Sequence, residues 1–256
     1  MEKKINLERN NFRFEVCANG VESCIAAQNG GADRVELCAG IPEGGTTPSY
    51  GEILQAREKL NSTLLHVIIR PRGGDFLYNN DEIERMASDI RMARECGVDG
   101  VVFGCLTPEG MVDMQKNAYL MEQTAGMSVT FHRAFDHTCD PKQALEDIIK
   151  LGFNRILTSG QQPTAPQGIA LLSELQQQSA RRITILAGCG VNESNIKQLF
   201  LKTNISEFHF SARQTVVSKM RFSNPTVYMG KPDADELTLQ YTTAERVKNT
   251  IAALLS

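Results

Sequence analysis

The chain has 256 residues, of which 41% are hydrophobic and 22% charged, and a formal net charge of −3. The composition is that of an ordinary globular protein, and the length suits one α/β barrel or two smaller domains. Scattered basic residues on a mildly acidic chain argue against nucleic-acid or membrane-surface binding, and no apolar run approaches the ~20 residues of a spanning helix.

Residues 1–11 are polar and charged, without the apolar core of a signal peptide, so an N-terminal extension and a cytoplasmic location are expected. A first strand follows at 12–17 and a second at 33–37, and they carry the same alternation twice: Arg13-Phe14-Glu15-Val16-Cys17 and Arg34-Val35-Glu36-Leu37-Cys38. Residues two apart share a face of a strand, so each Glu sits beside a Cys. Further strands are expected near 64–70, 99–103, 128–132, 154–158, 183–187 and 206–210. Helical patterns lie between them at 20–30, 49–60, 80–96, 111–125, 141–151, 167–180 and 192–202, with a last one at 242–255. Three junctions share one form: Gly31-Ala32-Asp33, Gly97-Val98-Asp99 and Gly152-Phe153-Asn154, each ending a helix and opening a β-branched run. Eight strands alternating with eight helices predict a single (β/α)₈ TIM barrel spanning 1–256. The first strand-to-helix turn lacks the G-x-G-x-x-G of an open dinucleotide-binding sheet. The segment 211–240 is expected to be a long loop over the mouth, after the eighth strand.

In such a barrel the chemistry gathers at the strand C-termini. Those positions carry Glu15 and Cys17, Glu36 and Cys38, then Arg70, Arg72 and Cys105, then His132 and Arg133. Gly188 and Gly190 and finally His209, Ser211 and Arg213 complete the ring.

The strings from Gly30 to Cys38, Glu43 to Ser49, Ile69 to Phe76, Asp99 to Gly104, Thr130 to Asp136 and Arg155 to Gly160 resemble the CutC family. The resemblance runs from about Phe14 to at least Met229. It implies a (β/α)₈ barrel, a cytoplasmic protein and a link to copper homeostasis. This chain departs from the family at the seventh strand, where Cys189 stands in a turn that is otherwise all glycine.

The candidate residues support two chemistries. Cu(I) is soft and prefers thiolates, and neighbouring parallel strands about 4.8 Å apart bring Cys17 and Cys38 within reach of one ion. The family's proposed copper ligands correspond to this pair. Cys24, Cys96, Cys105 and Cys139 are expected to pack. The alternative is a TIM-barrel enzyme acting on a small anionic or phosphorylated metabolite. Glu15, Glu36, His132 and His209 would then be acid/base groups. Arg70, Arg72, Arg133, Arg213, Ser211 and the 188–190 turn, with Asn192 as a helix N-cap, would hold the anion. The partners expected are a copper ion or a small anion and a second copy of the chain in a homo-oligomer. A polar layer that only packs, with Glu15 and Glu36 neutralised by Arg70 and a histidine, is the third reading.

Overall fold

The computed structural model describes residues 7–224, 226–227 and 236–256. Eight parallel strands close into a barrel in sequence order: β1 (Arg13–Ala18), β2 (Arg34–Leu37), β3 (Leu64–Ile68), β4 (Gly100–Phe103), β5 (Ser128–Phe131), β6 (Arg155–Thr158), β7 (Thr184–Ala187) and β8 (Glu207–Phe210). The outer helices are α1 (Val21–Asn29), α2 (Tyr50–Lys59), α3 (Asn80–Glu95), α4 (Met114–Gln123), α5 (Pro141–Leu151), α6 (Ile169–Ser179), α7 (Ile196–Thr203) and α8 (Ala244–Leu255). None of the described helices is long and apolar enough to cross a membrane.

The repeated junction has a common physical role. Gly31, Gly97 and Gly152 have φ of 88°, 74° and 85°, the left-handed turn that ends a helix most cheaply on glycine. The following side chain then reaches back to the preceding strand. Asp33 accepts from the Phe14 N–H at 2.8 Å, Asp99 from Leu65 at 2.8 Å and Asn154 from Val129 at 2.7 Å. Each carboxylate or amide therefore satisfies a backbone donor at the strand N-termini and pins the register of two neighbouring strands. Arg9 and Arg57 hold Asp33 and Asp99 in place, at 2.8 and 2.7 Å.

With register pinned, alternation decides what faces where. Phe14, Val16, Val35, Leu37, Leu65, Val67, Val101 and Phe103 point outward into the helix layer and are fully buried. The inward set is polar at its base. Arg34 bonds Glu15 and Glu207, Arg155 donates to Ser128 Oγ at 2.7 Å, and Arg155 lies 3.6 Å from Glu207. His66 is enclosed here, and the absence of a side chain on Gly100 makes its room: a Cβ there would lie 2.5 Å from His66 Nε2.

Two sequence expectations change. The segment 211–240 is not a plain loop, because it opens and closes as an antiparallel ribbon, β9 (Arg213–Val217) with β10 (Thr238–Thr242). Both halves are rich in β-branched residues, and pairing satisfies backbone groups that a loop would leave to water. The ribbon is tied down at its base, where Asn19 Nδ2 donates to the Gln240 carbonyl at 2.7 Å. Residues 225 and 228–235 lie outside the described residues. The seventh helix also starts later than expected. Asn195, not Asn192, stands at its N-cap position, while Asn192 Oδ1 accepts from the N–H and hydroxyl of Ser194 in a turn.

Burial pushes the His66 imidazole down to about 3 against its ordinary 6.5, with the charges of Arg34 and Arg155 adding to this and Glu15 opposing it. The unfolded chain thus takes up a proton below about 6.5 that the folded chain refuses. The stability this contributes is full above that pH and is lost as pH falls toward about 3. Between about pH 7 and pH 5 one such histidine costs about 2 kcal/mol. Urea unfolding of His66→Gln at both pH values should show an acid loss smaller by that amount. An unchanged loss would mean that His66 is protonated in the folded barrel.

Candidate functional site

A cavity of about 680 Å³ opens at the strand C-termini, and its walls differ in chemistry. Over β1, β2 and β8 the wall is a chain of hydrogen-bonded charges rising from the polar base. Arg34 Nε donates to one oxygen of Glu15, and His209 Nδ1 donates to the other at 2.7 Å. His209 Nε2 lies 3.7 Å from Glu36 Oε2. Above them Cys17 and Cys38 face each other with sulfurs 3.9 Å apart, inside the ~5 Å that neighbouring strands allow. Arg213, at the start of β9, reaches over from the ribbon and donates to Cys17 Sγ at 3.3 Å.

The surroundings sort these groups into charge states. Burial opposes the ionisation of Glu15, but the charges of Arg34 and His209 and the hydrogen bond from His209 outweigh it, so its carboxyl falls well below the ordinary range. Glu36 lacks an arginine, and burial pushes it up to about 8, with the His209 charge opposing and the charges of Cys17 and Glu15 adding. One oxygen of Glu36, Oε1, has no hydrogen-bond partner. Burial alone would depress His209, yet hydrogen bonds to Cys17 and Glu15 and the two carboxylate charges raise it well above 6.5. The hydrogen bond from Cys38 lowers the Cys17 thiol well below 9, against the pull of burial and with help from His209 and Arg213. The same bond raises Cys38, as does burial. The surroundings therefore favour the thiolate at Cys17 and the thiol at Cys38, beside an imidazole whose charged form is favoured and a guanidinium.

The facing wall comes from the loops after β3, β5 and β6. Arg70 is 4% exposed and belongs to this wall differently from expectation. Neither Glu15 nor Glu36 neutralises it. Its terminal nitrogens instead donate to the carbonyls of Glu43 at 2.7 Å, Gly45 at 2.9 Å and Gly74 at 2.7 Å, stitching two loops together. His132 Nδ1 accepts from the Ala134 N–H at 3.2 Å. Burial, with the charge of Arg70, pushes this imidazole down to about 3, so it is neutral rather than a proton carrier near pH 7. Its Nε2 has no partner. Arg133 is aimed by Asp136, which takes its Nε at 2.7 Å.

Three expected anion ligands are thus reassigned or refined. Arg72 turns away from the cavity to Glu82 at 2.6 Å and Asp75 at 2.9 Å, because those carboxylates begin and precede α3 on the outside of the barrel. Gly188 serves packing: a Cβ there would meet Leu157 Cδ1 at 2.5 Å and His209 Cβ at 3.2 Å. Gly190, Ser211 and Arg213 do line the mouth. Cys189 also lines it, at φ 74°, with its thiol turned to the Pro163 carbonyl at 3.1 Å. Of the cysteines expected to pack, Cys24, Cys96 and Cys105 are buried, whereas Cys139 is exposed on the loop before α5. Asp136 was not among the expected site residues, although its place three residues after Arg133 is the spacing of a local ion pair. Phe76 and Arg246, which also line the mouth, carry no signal in the sequence.

The CutC family is matched over residues 12–214. The chain is 62% identical over 246 residues to a family protein CutC of Bacteroides thetaiotaomicron, covering 96% of this chain and 99% of that one. It is 45% identical over 240 residues to the human copper homeostasis protein cutC homolog, covering 93% and 88%. The crystal structure of the CutC of Streptococcus agalactiae superposes with a TM-score of 0.75 at 33% identity, over 78% of this chain and 98% of that one.

The charge assignment has a chemical readout. At about pH 6, where ordinary thiols near 8.5 are inert, Cys17 should be the cysteine alkylated fastest by iodoacetamide. His209→Gln should slow that reaction at least about tenfold, the effect of one pKa unit or more. Peptide mapping by mass spectrometry checks both outcomes. Equal rates in the two proteins would remove the imidazolium–thiolate pair.

Proposed function

Because this chain belongs to the CutC family, we propose that it acts in copper homeostasis by holding a Cu(I) ion between Cys17 and Cys38. The observation that carries this reading is the sulfur pair itself, 3.9 Å apart at the mouth of a cavity and flanked by two cations. At that separation one ion can touch both sulfurs. The open third side faces Glu36, whose ligand atom lies within 4.8 Å of both sulfurs.

The donor set fits a soft monovalent cation better than a hard one. Two thiolates around Cu(I) carry a net charge of −1, which Arg213 answers at Cys17 while the charge of His209 is already balanced by Glu15. A divalent ion between the same thiolates would be neutral and would take from Arg213 the negative charge that it faces at Cys17. Cys38 must give up its proton as the ion enters, so binding is coupled to proton release. Here copper is cargo, and the ribbon's Arg213 is the group that reports its presence at Cys17.

Anaerobic titration with Cu(I) against a competing chelator tests the reading. One ion per chain is expected, with release of about one proton per ion near neutral pH. The Cys17→Ser, Cys38→Ser double variant should lose at least about two orders of magnitude in affinity, as removal of both soft ligands requires. Unchanged affinity in that variant would remove the proposal.

A further inference from the structure

The cavity is far larger than an ion needs, and its second wall is built for something else. Two carboxylates, Glu36 and Glu193, line it against four guanidinium groups, Arg70, Arg133, Arg213 and Arg246. This concentration of positive charge occurs in a chain whose net charge is −3. Arg246 is matched by Glu193 at 3.2 Å, and Arg213 faces the Cys17 thiolate. Arg70 has no carboxylate within ion-pairing distance among the described residues, only backbone carbonyls. A guanidinium that is 4% exposed stays charged, and a buried charge without a counter-ion is costly.

His132 stands in front of it. Its Nδ1 is the acceptor for the Ala134 N–H, so the ring proton sits on Nε2, and that donor has no acceptor although the residue is 4% exposed and lines the cavity. An unsatisfied buried donor is destabilising until an acceptor answers it. Arg133 completes the wall: Asp136 and Ser159 Oγ occupy Nε and one Nη2 hydrogen, at 2.7 and 3.1 Å, which leaves three of its five donors toward solvent and the cavity. Asp136 is itself saturated by the Ser159 and Gln161 N–H groups, so it cannot swing away to neutralise Arg133 further. Beside these donors Phe76 offers an apolar face, with ring centroids 4.9 Å from His132 and 5.4 Å from His137.

We propose that this wall binds a small organic anion, its carboxylate or phosphate head received by His132 Nε2–H and Arg133 and its body lying against Phe76, with Arg70 supplying positive charge from behind. A carboxylate and a phosphate make the same demand on these donors, acceptor oxygens with negative charge. The direct donors of this site, His132 and Arg133, follow β5, whereas the thiol pair belongs to β1 and the end of β2.

The test uses metal-free protein with phosphate and malonate as probes and chloride as the control, read by thermal shift and by calorimetry. The same titrations on the Cys17→Ser, Cys38→Ser double variant separate this site from copper binding. Phosphate or malonate should raise Tm in both proteins with a millimolar or tighter Kd, and Arg133→Gln should weaken that Kd about tenfold or more, as loss of a charge-assisted hydrogen bond does. His132→Asn should weaken it as well. Should that variant fail to fold, the Nε2 resonance of His132 in the unmodified protein must shift on titration. Preference for phosphate identifies a phosphorylated ligand, and preference for malonate a carboxylate. No stabilisation by either probe up to about 10 mM, where a millimolar site would be largely filled, would overturn the proposal. So would a response that chloride reproduces, or affinity unchanged in Arg133→Gln.

Discussion

Glu15 is the pivot of this barrel. Its carboxylate is 1% exposed and would be untenable alone, since an ion of that kind pays heavily for leaving water. Arg34 answers it from the base of the barrel and His209 from the neighbouring strand, so that every oxygen is occupied. The ionised Glu15 in turn keeps His209 charged, and the charged His209 keeps a thiolate at Cys17. Two glutamates at equivalent places in a repeated strand thus end in opposite states. Glu15 has a guanidinium and stays ionised, while Glu36 has none and is mostly neutral near physiological pH.

The base of the barrel makes this arrangement rigid. Arg34 is shared between Glu15 and Glu207, and Arg155 leans on Glu207 while bonding Ser128. Removing one member of such a buried set typically costs about 3–5 kcal/mol, because the partner is left charged and dry. The polar layer that could have been mere packing is therefore also the support of the site. It holds the imidazole in one orientation, and the imidazole sets the reactivity of the sulfur above it. Preorganisation of this kind matters for a soft ion, whose few ligands must be presented together.

The mouth combines a pair of thiols on one side with the arginines and neutral His132 that follow β3 and β5. The ribbon joins them to the outer layer, because Arg213 reaches Cys17 while its carbonyl accepts from Arg246 on α8. Residues beyond position 214, where the family match ends, thereby contribute to the rim.

Local pattern alone determined a good deal. The helix-ending glycines, the Asp or Asn after them and the period-two strands required a serial βαβ chain, and closure of eight such units leaves alternate residues of every strand pointing inward. That alternation is why Glu15, Cys17, Glu36, Cys38, His132 and His209 could be read as one group from the chain: facing depends only on position within a strand. The ribbon at 213–242 was less legible, because each half is short and its partner is distant in sequence. What a side chain does once inside depended on neighbours that no local pattern specifies. Arg70 is spent on carbonyls of two loops, Arg72 on carboxylates at the start of α3, and Gly188 on room for His209. The two glutamates, alike in sequence, were separated by which one Arg34 and the close hydrogen bond of His209 reach. Charge state and hydrogen-bond partnership are set by atoms within a few ångströms in space, and in a closed barrel most of those atoms come from strands and loops far away along the chain.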